Sequence, residues 1–192
     1  MWLSGPRSGT VDAMTTSEQT SLATGAWALD TAHSSVNFTV RHLGISKVRG
    51  RFNSFETSFV VDAAGAAVIE ATIHLDSFDT GNSQRDEHVR SAELLNVQDR
   101  PTLHFKALEP VRVAADFEIT GEVTLGGVTK PVTLDVEWGG VQPFQDGSRH
   151  AGFSATGSIK RSEFDVAPAL PTAMLSDKIA IELDIQLVEP QS

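Results

Sequence analysis

"IAIELDIQL", residues 179–187, puts an aliphatic side chain at every second position: Ile179, Ile181, Leu183, Ile185 and Leu187. Ala180, Glu182, Asp184 and Gln186 fall between them. A period of two is that of a β-strand with one face buried and the other in water. The same alternation recurs through most of the chain from Trp27 onward.

Seven further stretches carry it. Ser35–Leu43 places Val36, Phe38, Val40 and His42 on one face. Val48–Val61 carries Phe52, Phe55, Phe59 and Val61, with a slip of phase at Asn53–Ser54 that predicts a bulge or sharp bend. Ala67–Phe78 sets Ile69, Ala71, Ile73 and Leu75 against Glu70, Thr72, His74 and Asp76. Thr102–Leu108, Asp116–Leu125, Val132–Trp138 and Ala151–Lys160 complete the set, and Gly126–Gly127 marks a hairpin turn. Long alternating strands joined by turns need a closed or two-layered sheet to hide their apolar faces and edges. A strand of about ten residues spans roughly 33 Å and stands roughly 25 Å tall when tilted in a barrel. An eight-stranded barrel of that height has room for one small ligand. The expected fold is therefore all-β: an eight-stranded antiparallel up-and-down barrel with one inserted helix.

The helix lies in "TGNSQRDEHVRSAELLNVQDRP", residues 80–101, which breaks the alternation. Ser83 with Asp86 three residues on reads as an N-cap signature, and Asp86 and Glu87 suit the positive end of the helix dipole. Asp86 and Arg90 form an i,i+4 pair. Val89, Ala92 and Leu95 share a face that would pack down, and Asn96 and Pro101 mark the stop. The charges thus read mainly as those of a capped connector helix, with a lid touching a ligand's polar end as the functional reading. Asp165–Leu175 is apolar for a loop, so it is expected to pack on the barrel or edge its mouth.

At 192 residues the chain is read as one domain over 26–190, preceded by a flexible leader over 1–25 in which Met14 offers an alternative start. A net charge of -10, with basic residues scattered apart from Arg41, Lys47, Arg49 and Arg51, argues against a nucleic-acid or anionic-membrane footprint. There is no apolar run long enough for a transmembrane helix and no apolar h-region at the N-terminus, so neither membrane insertion nor export is expected and a cytoplasmic location is the default. The absence of cysteine excludes disulfides, thiolate metal sites and cysteine nucleophiles. Six histidines occur without a His-x-x-x-His pair, and no Gly-x-Ser-x-Gly elbow or strand–loop–helix phosphate cradle is present, so no metal and no catalytic role is assigned. His42 continues an apolar face, and two readings stay open: a histidine satisfied by a backbone carbonyl, or a polar anchor near a cavity mouth.

Four ordered blocks carry a family resemblance: "DTAHSSVNFTVRHLGISKVRGRF" (30–52), "DTGNSQRDEHVRSAELLNVQDRPTLHFKA" (79–107), "GEVTLGGVTKPVTLDVE" (121–137) and "GFSATGSIKRSEFDV" (152–166). Together they resemble the successive signatures of the YceI-like family, over essentially Trp27 to Val188. The resemblance implies a lipocalin-like barrel that holds a long amphiphile, typically a polyisoprenoid and in some relatives a fatty-acid-like molecule, with its tail in the lumen. Many relatives carry a signal peptide and act in the periplasm. Gly126 stands where relatives often have His, and Asp165 where a Gly commonly follows the Phe.

The preferred expectation is a non-enzymatic carrier or store for a polyisoprenoid such as a polyprenyl lipid or isoprenoid quinone, with no cofactor besides that lipid. Phe38, Val40, Ile73, Leu75, Phe105, Ile119, Val136, Trp138, Phe153, Ile181 and Leu183 are the candidate lumen residues. His42, Arg85, Asp86, His88 and Arg90 are candidates for the polar end. The partner is a small hydrophobic ligand; a homodimer is compatible with the sequence. Two alternatives stand beside this reading: an enzyme acting on a small amphiphile with His42 or His88 as base, and an interaction module whose barrel is filled.

Overall fold

The computed structural model of the chain describes residues 22–191. Its strands are β1 (Gly25–Leu29), β2 (Ser35–His42), β3 (Ser46–Phe52), β4 (Phe55–Val61), β5 (Ala67–His74), β6 (Phe78–Asp79), β7 (Thr102–Ala107), β8 (Asp116–Leu125), β9 (Val128–Pro143), β10 (Arg149–Lys160) and β11 (Lys178–Val188). One α-helix, α1 (Ser83–Arg90), and 3-10 turns at Leu75–Ser77 and Arg161–Phe164 complete it. No described helix is long and apolar enough to cross a membrane.

The strands close into the expected eight-stranded antiparallel barrel: β1, β4, β5, β7, β8, β9, β10 and β11 form a ring, sealed by β1 against β11. The sequence shows eight strands where the backbone has eleven because two predicted strands are each broken in two, Val48–Val61 into β3 and β4 and Ala67–Phe78 into β5 and β6, and because β1 falls in no predicted strand. β1 and β2 follow one another along the same edge of β11, with Leu29 opposite Leu187 and Phe38 opposite Ile181. β3 pairs with β2 and β4 with β1, and the break between them falls at Asn53–Ser54, where the phase slips. The third predicted strand also ends early. It stops at His74, turns through Leu75–Ser77, and leaves Phe78–Asp79 as a two-residue strand on β3.

β9 runs well beyond the predicted Val132–Trp138. Phe153 of β10 opposes Trp138 while Gly152 opposes Gly140, so Gly139 is an extra, bulged residue. A side chain there would sit 3.1 Å from the Gly152 carbonyl oxygen. The bulge interrupts the alternation and hides the second half of the strand from a periodicity reading. The Gly126–Gly127 hairpin lies where the sequence places it, between β8 and β9.

Residues 1–21 of the expected leader lie outside the described residues. The last part of that segment is structured: Leu22 is buried and Gly25 opens β1. Leu22, Trp27, Phe59, Val61, Ala67, Ala151 and Leu187 pack together with Trp138 and Phe153 across one end of the barrel. Trp138 and Phe153 have ring centroids 4.8 Å apart, Phe59 and Phe153 5.6 Å apart, and the Trp27 indole donates to the Ala23 carbonyl at 2.9 Å. This end is a floor. The opposite end carries the β2–β3 hairpin, α1, and the long connection from β10 to β11.

Candidate functional site

Between the floor and the opposite end lies a cavity of about 380 Å³ whose wall is almost wholly apolar. Cross-strand pairs build it. Val40 opposes Val48, Phe55 opposes Ile73, Ala71 opposes Phe105 and Leu183 opposes Ala155, so each of these rungs supplies two inward groups, while Phe38 faces the bare backbone of Gly50. Gly50 matters because a Cβ on it would lie 2.3 Å from the Phe38 ring. Its bare backbone lets that ring lie back against the wall, where it stacks on Phe78 with centroids 5.1 Å apart. The lumen remains open because these rings line it without crossing it.

Ten of the eleven apolar candidates line this cavity: Phe38, Val40, Ile73, Leu75, Phe105, Ile119, Val136, Phe153, Ile181 and Leu183. Trp138 does not. It opposes Phe153 on the inner face but belongs to the floor, beyond the point where the cavity stops. Sequence reasoning missed Phe52, Phe55, Val89, Leu95, Phe164 and Leu175, which line the cavity too. The two Phe on either side of the phase slip were legible as inward residues; Leu175 and Phe164 sit in connections where alternation has no meaning.

The polar candidates separate. His42 and Arg85 line the cavity and are exposed, so the lumen reaches solvent beside them. The His42 ring makes no hydrogen bond among the described residues, which disfavours the backbone-satisfied reading. Arg85 is oriented by Thr80, donating from Nε to the Thr80 hydroxyl at 2.7 Å and from Nη2 to the Thr80 carbonyl at 3.0 Å. Asp86 is not at the surface of the lumen. It is 5% exposed, and its carboxylate accepts from the Thr80 backbone N–H at 3.1 Å and from the Thr80 hydroxyl. The expected Asp86–Arg90 pair is therefore absent: Arg90 turns to the Phe78 carbonyl instead. Both residues tie α1 to β6 and the Thr80 turn. His88 points away, 3.5 Å from Glu93 on the exposed side. The N-cap is Asn82, whose side chain accepts from the Arg85 N–H at 3.0 Å, one residue before the expected Ser83.

The Asp165–Leu175 connection edges the mouth as expected, and a buried cation holds it there. Arg161, 3% exposed, spends its five N–H groups on the carbonyls of Ser176, Val166, Ala167, Leu170 and Leu175, at 2.6–3.3 Å. Alternation along β10 (Phe153, Ala155, Gly157, Ile159) points Arg161 inward, and that is the signal by which it was findable. Asp165 follows in the left-handed region at φ 53, the conformation a Gly takes most easily.

A closed antiparallel barrel with a floor at one end and an apolar lumen open at the other is a lipocalin-like binding barrel. Among the described residues no group of His, Asp and Glu is placed to hold a metal ion. The sequence matches the YceI-like domain over residues 27–187, and the chain belongs to that family. It is 38% identical over 162 residues to a UPF0312 protein of Enterobacter sp. (strain 638), covering 83% of each chain. It is 36% identical over 154 residues to the protein YceI of Salmonella arizonae, covering 79% of this chain and 81% of that one. The crystal structure of the Campylobacter jejuni YCEI protein superimposes with a TM-score of 0.70 at 32% identity, over 79% of this chain and 90% of that one. A polyisoprenoid binding domain from Saccharophagus degradans shares the fold with a TM-score of 0.62 at 18% identity, over 86% of this chain and 99% of that domain.

Proposed function

We propose that the protein carries or stores a polyisoprenoid, such as a polyprenyl lipid or an isoprenoid quinone, with the chain in the lumen and the polar end at the rim. The continuous apolar cavity of about 380 Å³, stopped at one end and open beside His42 and Arg85, carries this reading. That volume falls in the range of ligand pockets, about 300–1,000 Å³. Transfer of a tail from water to such a wall is favourable by about 25 cal/mol per Å² buried. The likeness to a domain described as polyisoprenoid binding supports the choice of chain type. An open lumen disfavours the filled-barrel alternative. The enzyme alternative loses ground because His88 lies outside the lumen and no carboxylate orients His42 among the described residues.

Native mass spectrometry of gently purified protein tests the proposal. A retained lipid whose masses step by one isoprene unit is expected; a protein that remains empty when offered polyprenols would overturn the reading. Leu183→Asp places a charge in the apolar wall and is expected to abolish occupancy, whereas Glu182→Ala, outward on the same strand, leaves it unchanged.

A further inference from the structure

The rim of the open end carries both exposed apolar side chains and unpaired cations. The turn between β2 and β3 presents Leu43, 51% exposed, and Ile45, 84% exposed; beside it stands Met174, 45% exposed. The two segments are stitched together: the Leu43 N–H donates to the Met174 carbonyl at 2.8 Å, and His42 bridges Leu175. Leu43 holds a left-handed backbone at φ 53, costly for a branched apolar residue and natural for Gly or Asn. Packing does not explain the choice, since the side chain faces water.

Cations flank this tip on the outer face of adjacent strands. Arg41 is opposite Lys47, Arg49 follows on β3, and Lys160 is opposite Lys178 across β10 and β11. All five are exposed and none forms an ion pair among the described residues. Arg51, next along β3, is taken by Asp79 at 3.5 Å. Of the carboxylates at this end, Asp177 is engaged by the Ser162 N–H at 3.0 Å. The acidic outer wall made by Glu118, Asp135, Glu137, Glu182 and Asp184 lies further along the barrel. Four residues of strand separate Lys178 from Glu182, roughly 13 Å, which exceeds the screening length of about 8 Å at physiological salt. Exposed Glu87, Glu93, Glu163 and Asp165 also stand at this end, on α1 and the β10–β11 connection, but no carboxylate occurs between Asp30 and Glu56, so the β2–β3 sector of the rim is basic although the chain carries -10.

We propose that this rim docks on an anionic phospholipid bilayer, with Leu43, Ile45 and Met174 entering the headgroup layer and the five cations resting on it. Exposed apolar residues ringed by cations in an acidic protein complement a surface that is negative outside and apolar beneath. The acidic wall is repelled by the same surface, so the barrel arrives mouth first. His42 and Leu175, which line the lumen, adjoin Leu43 and Met174 in the chain. The docking face thus opens directly onto the cavity. It stands on its own residues and is independent of what the lumen holds.

Co-sedimentation with vesicles of phosphatidylcholine alone and of phosphatidylcholine with phosphatidylglycerol tests this. Binding is expected only to the anionic vesicles, weakening as salt is raised. Each cation near such a surface strengthens binding roughly fivefold, so Lys47→Ala with Arg49→Ala is expected to weaken it by more than about tenfold. Ile45→Ser is expected to weaken it by about tenfold. Arg112→Ala with Arg149→Ala removes the same charge from the floor end and leaves binding intact. Absence of binding to the anionic vesicles overturns the proposal, as does equal loss in the rim and floor variants. Self-association that the Ile45 change abolishes, without vesicle binding, assigns the face to a second copy and overturns it as well. Native mass spectrometry of the rim variants reads lumen occupancy separately, so an empty lumen leaves the docking result standing.

Discussion

Asp30 sits at the kink between β1 and β2 and joins it to other strands. Its carboxylate accepts from the His33 ring at 2.8 Å, the Ala32 N–H at 3.0 Å and the Gln186 amide at 3.1 Å, with His150 at 3.7 Å. Burial pushes its pKa up, but the hydrogen bonds from His33 and Ala32 more than offset this and hold it below its ordinary 3.8. A carboxylate with a depressed folded-state pKa stabilises the protein above its unfolded value, and that contribution is lost as pH falls through the folded one. Denaturant titrations of Asp30→Asn and the parent protein should therefore differ by a constant amount at neutral pH, the gap closing below 3.8. A gap unchanged by acid would show that the carboxylate's charge has no role at the kink. The Ala32 and His33 contacts are local, but the Gln186 and His150 contacts were not legible in the sequence, because barrel closure alone brings them to Asp30. Arg161 differs: its inward phase was readable, but the five carbonyls that receive it come from a connection with no period.

Among the elements, α1 is short and depends on its ends. At two turns it has little intrinsic stability, and its N-terminus is held by the Asn82 cap and by Asp86 on Thr80. Asn82→Ala is expected to cost about 1 kcal/mol and to raise amide exchange at Arg85, checked by hydrogen exchange; unchanged protection there would mean the Thr80 contacts suffice. The sequence located this helix but set its cap one residue late and carried its packing face on to Leu95, with Asn96 and Pro101 as the stop. The chain instead leaves the helix at Ser91, where ψ is 165°, and turns so that Leu95 drops onto the core. Arg100 fixes that turn through the carbonyls of Leu95, Leu94 and Phe164. Tertiary bonds override local propensity there, and periodicity carries no trace of them.

For the whole molecule, barrel class and strand number followed from period two, since long half-buried strands have few ways to hide their edges. The closure did not: β11 receives both β1 and β2 along one edge, a long-range register that no local pattern encodes. The floor was equally hidden, because Trp138 alternates in phase with the lumen residues and only its depth sets it apart. Because Phe59, Trp138 and Phe153 stop the cavity, its depth is finite, and on the proposed function the barrel would gauge chain length. A tail that reaches the aromatic rings with its head still at the rim is the longest that fits; a longer one must leave units in water. Phe153→Ala would lower the floor at a cost of about 3–5 kcal/mol in stability. Offered a graded series of prenols, that variant should retain a longer maximum chain than the parent by native mass spectrometry, whereas an identical upper limit would place the stop elsewhere. The tryptophan and phenylalanines that close the barrel would then also set which members of a homologous lipid series it accepts.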